Sequence, residues 1–136
     1  MIYVLDACAL IAFLNKEAGD DKVGEVLWGI PQKTCTVVIN AVNLSEVYYD
    51  TLRRSTPASA KAVFRLLKQA GVVVEDRIDN TFIQEVGRFK TSYKISLADA
   101  FALAQAKLSG GTLLTSDHHE FDVIEGREDI SFLWIR

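Results

Sequence analysis

At 136 residues the chain has room for one domain, expected to span residues 1–136. Its 49% hydrophobic and 24% charged residues are globular proportions, which exclude a disordered chain and a coiled coil. The formal net charge of -3 argues at first sight against a nucleic-acid partner. No apolar run approaches the roughly 20 residues of a membrane helix, and Met1 to Asp6 lacks the basic start of a signal peptide. Two cysteines, Cys8 and Cys35, make neither a disulfide framework nor a zinc spacing. The expectation is a reduced, cytoplasmic protein with no membrane association.

Short β-branched runs alternate with helical segments, the mark of an α/β domain. Tyr3 to Leu5 reads as a first strand that stops at Asp6. An apolar helical run follows from Ala9 to Leu14, and a more polar one from Asp20 to Trp28. Thr36 to Ile39 is a second strand, succeeded by a helix from about Ala41 to Arg54 with Asn40 or Asn43 as its cap. Thr56, Pro57 and Gly71 punctuate the next helix at its cap, first turn and end. Val72 to Val74 is a third strand. Asp79 opens a helix whose Phe82, Val86, Phe89 and Tyr93 form one apolar stripe. Ser96 to Ser109 is helical and apolar almost all round, and Gly110 and Gly111 end it. Thr112 to Thr115 and Ser131 to Ile135 complete the strands. The expected fold is a three-layer α/β/α domain around a central, mostly parallel sheet of four to five strands.

Four carboxylates stand where a stability argument would not put them. Asp6 ends the first strand and Asp117 follows the fourth, and ligands of open parallel sheets gather beyond the carboxyl ends of strands. Each also has a plain structural role open to it: Asp6 as a helix cap, Asp117 as an Asx turn. Asp99 sits in Ser96-x-x-Asp99, a capping-box spacing, yet its helical neighbours Ala102, Leu103 and Ala106 are apolar. A charge on such a face needs a partner or a metal. Glu46 shares its helix with Asn43, Asp50 and Arg53, which suits a solvated face as well as a site.

If the four converge, repulsion becomes the deciding quantity. Two carboxylates ~6 Å apart repel by about 2.8 kcal/mol at an effective dielectric of 20. Such a cluster persists by protonation or by holding cations, and hard divalent ions suit its oxygen ligands. Mg²⁺, with Mn²⁺ as a substitute, would activate water and neutralise charge on a phosphodiester.

Taken together, Leu5-Asp6-Ala7-Cys8, Glu46, Leu97-Ala98-Asp99-Ala100 and Leu114-Thr115-Ser116-Asp117-x-x-x-Phe121 resemble a PIN domain, in the form of the VapC-type toxin of VapBC toxin–antitoxin pairs. The resemblance implies a Mg²⁺-dependent ribonuclease with an acidic pocket built from Asp6, Glu46, Asp99 and Asp117. Asp6 and Asp99 would be the principal metal ligands, and Asp117 and Glu46 would complete the site. Thr115 and Ser116 would support the cluster. A homodimer and an antitoxin covering the groove are also implied. Cys8 departs from the pattern, because the family commonly carries Ser or Asn there and a thiol is a weaker donor. A stand-alone PIN nuclease of RNA processing and a non-catalytic PIN-like binding module are the alternatives. A haloacid-dehalogenase site would need an Asp at position 8, and a receiver domain an acidic pair at the first strand.

The remaining polar and aromatic features have simpler readings. His118 and His119 read as an exposed turn pair and Trp28 and Trp134 as packing residues, while Asp122 is a candidate fifth, peripheral acid of the cluster. Tyr48 and Tyr49 are candidates to line the groove beside Glu46. Arg53, Arg88, Lys90 and Lys94 flank the acids and are candidates to hold RNA phosphates. Between Thr51 and Lys94 there are nine Lys or Arg against four Asp or Glu. Setting the four site acids aside leaves 14 acidic against 15 basic residues, so the total charge of -3 does not exclude RNA.

Overall fold

The computed structural model describes residues 1–136, and its five strands form one sheet in the order β3-β2-β1-β4-β5. The strands are β1 (Ile2–Leu5), β2 (Thr36–Asn40), β3 (Val73–Glu75), β4 (Thr112–Thr115) and β5 (Ser131–Trp134). Every neighbouring pair is parallel. The helices are α1 (Ala7–Leu14), α2 (Asp20–Trp28), α3 (Ala41–Arg54), α4 (Pro57–Ala70), α5 (Asn80–Ser92), α6 (Leu97–Ser109) and the single turn α7 (His118–Phe121).

Side-chain alternation along the strands divides the apolar residues into two layers. Leu5, Val37, Ile39 and Leu114 face α1 to α4, where Leu10, Val23, Val47 and Leu67 pack against them. Their neighbours Val4 and Leu113 face the other side, against Phe82, Val86 and Phe89 of α5 and Leu103 of α6. Helices therefore cover both faces, as a parallel sheet requires. From β1 the chain runs outward through β2 and β3, then crosses back to β4 and β5. The order reverses between β1 and β4, and the crevice of the sheet opens there.

Local chemistry sets the boundaries. Asp6 accepts the Ala9 N–H at 2.8 Å, so α1 starts at Ala7, two residues before the apolar run. Asn40, not Asn43, caps α3 through the Val42 N–H at 2.9 Å. Thr56 caps α4, and Gly71 at φ 84 ends it. β3 is Val73–Glu75, one residue later than Val72–Val74, because Val72 turns its N–H back to Leu67 of α4. Trp28 departs most from expectation: it is 69% exposed rather than packed. Trp134 is stacked between Phe132, at 5.4 Å, and His118, at 3.9 Å.

Beyond α7 the chain is tied to α5 by Glu128. Its carboxylate receives the Arg88 guanidinium at 2.9 and 3.2 Å and the Tyr93 hydroxyl at 2.6 Å. These bonds hold the Glu128 carboxyl below its ordinary range. A depressed acid contributes stability above its unfolded value, lost as pH falls through the folded one. Glu128→Gln is therefore expected to cost about 1 kcal/mol at neutral pH, after discounting for the half-exposed arginine. In chemical denaturation the difference should shrink as pH falls below about 4.5 and vanish only below the depressed folded value.

Candidate active site

Asp6 and Asp117 reach the crevice because each follows a strand and caps the next helix. Asp6 follows β1, and Asp117 follows β4 and accepts the Glu120 N–H at 3.1 Å. The capping roles and a shared pocket are therefore compatible. Asp99 lies in the first turn of α6, where Ser96 accepts its backbone N–H at 3.0 Å. Glu46 projects from the second turn of α3. The four meet in an open cavity of about 370 Å³, also lined by Cys8, Asp50 and Glu120.

Two buried amides hold the cavity's walls together. Asn40 Nδ2 donates to Gln105 Oε1 of α6 at 3.1 Å. Asn43 Nδ2 donates to the Ala98 carbonyl at 3.0 Å, which links α3 to α6 one residue from Asp99. Asn43 Oδ1 is buried without a hydrogen-bond partner. That costs on the order of 1–3 kcal/mol, yet the amide keeps the helices bearing Glu46 and Asp99 in register.

Electrostatics in the cavity resist negative charge. Burial pushes the Asp6 carboxyl up to about 6, against the lowering effect of hydrogen bonds from Thr115, Ala9 and Cys8; Asp99 adds repulsion. Glu46 is raised by burial and by Asp99, Asp117 and Asp50. Asp99 is raised by burial and by Asp117 and Glu120, with Ser96 opposing. The carboxylates thus repel one another across a shared space, the condition that a cation relieves.

Cys8 occupies the centre of the supporting bonds. Its Sγ lies 3.1 and 3.2 Å from the two Asp6 carboxylate oxygens and 3.5 Å from Thr115 Oγ1. The Ser116 hydroxyl is 3.4 Å from the same sulfur, and Thr115 Oγ1 accepts the Asp117 N–H at 3.0 Å. Burial and the neighbouring Asp6 push the thiol up to about 12, so it stays protonated and able to donate.

As the side chains stand, no three His, Cys, Asp or Glu groups are arranged to hold a metal ion. Their chemistry fits one: the cavity offers carboxylate oxygens, held apart by repulsion, to a hard divalent cation.

The other sequence candidates divide between the cavity and the surrounding surface. Arg53 lines the cavity, but Arg88 is engaged with Glu85 and Glu128. Lys90 donates to the Ile95 carbonyl at 2.6 Å, and Lys94 is exposed outside the cavity lining. His118 is not a loose turn residue. Its ring bonds Asp122 and the Arg136 carbonyl, each at 2.8 Å, and this places Asp122 outside the cavity. Tyr48 stacks on Phe64 at 5.3 Å, whereas Tyr49 lines the cavity. Glu120 escaped notice in the sequence, because only the short α7 carries it three residues past Asp117 to the same opening.

Comparison with known proteins agrees with this architecture. VapBC-1 from nontypeable Haemophilus influenzae superposes with a TM-score of 0.74 at 18% identity, covering 99% of this chain and 98% of that one. VapBC2 from Rickettsia felis, bound to a DNA fragment from its promoter, gives 0.73 at 18%, covering 98% of each chain. VapC20 from Mycobacterium tuberculosis, a sarcin-ricin loop cleaving toxin, gives 0.60 at 20%, covering 83% and 87%. No curated protein matches the sequence. The model of the PIN domain matches residues 3–126, a span that runs from β1 past all four cavity acids, and the chain belongs to the PIN domain family.

Proposed function

We propose that the protein is a metal-dependent endoribonuclease that hydrolyses RNA phosphodiester bonds and serves as the toxin of a type II toxin–antitoxin pair. The observation that carries this reading is the convergence of Asp6, Glu46, Asp99 and Asp117, from four separate segments, on one open cavity. Membership of the PIN family supports a nuclease, and likeness to a sarcin-ricin loop cleaving toxin supports RNA as the substrate class. Likeness to VapBC assemblies supports an antitoxin partner that covers the groove. A homodimer working in the cytoplasm belongs to the same reading.

Asp6 and Asp99 would hold Mg²⁺, or Mn²⁺ in its place, with Glu46 and Asp117 completing the site. The ion supplies Lewis-acid polarisation of the phosphate and a lower pKa for water. The chain's own residues do the positioning. Thr115 orders the turn that carries Asp117, and the Cys8 thiol restrains the Asp6 carboxylate. Glu46 and Asp117 would orient an attacking water and take its proton.

The test is cleavage of labelled RNA by purified protein in Mg²⁺ or Mn²⁺, with EDTA and Asp99→Asn as controls. Ser96 caps α6 through the Asp99 backbone, so this substitution leaves the cap in place. Cleavage that persists in EDTA and in Asp99→Asn would sink the metal-site reading. The thiol gives a finer expectation. Cys8→Ala should weaken Mg²⁺ activation by about 10- to 100-fold, while Cys8→Ser keeps a donor and stays near wild type. Mg²⁺ titrations of cleavage rate separate the two.

A further inference from the structure

Among the side chains that line the acidic cavity, Arg53 is the one cation, and it stands beside an aromatic ring. Glu46, Tyr49, Asp50 and Arg53 follow the i, i+3, i+4, i+7 pattern, so one face of α3 leads from the acids to the cavity mouth. Arg53 lies about 10 Å along the helix axis from Glu46. Tyr49 is 50% exposed as a residue, and the Arg53 guanidinium carbon lies 5.7 Å from its ring centroid. An exposed tyrosine with the cation engaging one face of its ring can present aromatic surface to a ligand.

Asp50 makes the arginine transferable. Its Oδ1 receives Arg53 Nη2 at 2.9 Å and Arg54 Nε at 3.2 Å. Arg53 can turn toward a phosphate while Arg54 still neutralises the buried carboxylate. A substrate polyanion entering an acidic cavity needs such a cation at the edge. A base beside it needs a π-face, which it can reach only when it is not paired in a duplex.

We infer that Tyr49 and Arg53 form a nucleotide subsite flanking the acidic cavity, with Tyr49 stacking an unpaired base and Arg53 holding the adjoining phosphate. This subsite rests on the ribonuclease reading for its chemistry, but its binding can be measured separately. It restricts the substrate to RNA that is single-stranded next to the scissile bond, and it tolerates different bases because stacking is sequence-tolerant.

The experiment uses the full chain, a short fluorescein-labelled unpaired RNA oligonucleotide, and the same strand annealed to its complement. Fluorescence anisotropy in Ca²⁺ gives affinity, and cleavage in Mg²⁺ gives KM and kcat. Tyr49→Ala should weaken binding of the unpaired strand by about 5- to 150-fold and leave duplex binding unchanged. Tyr49→Phe should restore affinity, and Tyr49→Leu, which keeps apolar bulk without the ring, should not. Arg53→Gln should lower the slope of log affinity against log salt by about 0.7. Both losses should fall on KM. Circular dichroism verifies that each variant is folded.

Unchanged affinity and KM in Tyr49→Ala, with wild-type cleavage intact, would overturn the subsite and leave the ribonuclease reading standing. Equal loss on unpaired and duplex RNA would also overturn it. Tyr49-dependent binding without cleavage in Mg²⁺ or Mn²⁺ would support the subsite and remove the ribonuclease reading. Wild-type protein that binds neither strand overturns the subsite.

Discussion

Asp6→Asn is expected to lower Mg²⁺-dependent RNA cleavage by at least about 100-fold while leaving the metal-free protein as stable as the wild type or more so. On the proposed metal-site reading, the activity loss follows from removing a hard anionic ligand from the cavity lining, where metal binding would be worth several kcal/mol to the transition state. The stability gain follows from burial. Asp6 is 4% exposed, and its carboxyl is pushed up to about 6 from 3.8, so its charged form is disfavoured in the fold. At 1.36 kcal/mol per pKa unit, relief of that penalty amounts to roughly 3 kcal/mol as an upper limit. Asn is also a good helix cap, so the bond from the Ala9 N–H to position 6 survives. Urea denaturation in EDTA, alongside cleavage in Mg²⁺, measures both halves. A variant that loses stability with activity would identify Asp6 as a structural cap; one that keeps activity would remove it from the metal site.

That opposition between stability and function is also what made the cavity legible in sequence. Asp6 and Asp117 stood out because a carboxylate after a buried strand has no packing role, and the sheet topology puts both at the β1–β4 reversal. Asp99 stood out because its helical face is apolar. Glu46 carried no such signal on its own. Its side chain joins the others only because Asn43 and Asn40 clamp α3 to α6, a long-range contact that no local pattern contains. Glu120 was hidden for a related reason: α7 is a single turn, too short for periodicity to show.

Of the flanking cations, Arg53 reaches the cavity, whereas two others are engaged elsewhere for the same reason. Arg88 and Lys90 are near Asp99 in sequence, but Arg88 is consumed by Glu85 and Glu128, which lies 40 residues away. Lys90 spends its ammonium on the Ile95 carbonyl. Proximity along the chain told nothing of the partners that neutralise each charge. Helix caps and glycine ends, by contrast, were readable residue by residue, because Thr56, Asp79, Ser96, Gly71 and Gly110 act on backbone within their own turns.

Gly19→Ala is expected to be the most damaging of the single-methyl additions, destabilising the protein by about 2–5 kcal/mol. Gly19 precedes α2 at φ 95, a conformation that costs a non-glycine residue roughly 1–2 kcal/mol. A Cβ there would also overlap the Ile135 carbonyl oxygen and lie 2.9 Å from its carbon. These are backbone atoms, so relief requires moving the chain, a further cost of about 1–3 kcal/mol. The displaced segment matters: Ile135 is 2% exposed in the core, and its N–H bonds the Thr115 carbonyl at the end of β4. Strain at Gly19 therefore passes to the strand that ends at Thr115 and leads into Asp117. Gly126→Ala supplies the control, because Gly126 has φ 88 but a Cβ there would meet nothing within 4 Å. That variant should lose only the conformational share. The two are compared by urea unfolding, with Mg²⁺-dependent cleavage below the transition as a second readout. Equal losses in the two variants would show that the Gly19–Ile135 approach adds nothing to backbone conformation. A larger loss in Gly19→Ala, joined by slower cleavage, would show that the packing of β5 against β4 helps hold the acidic cavity in shape.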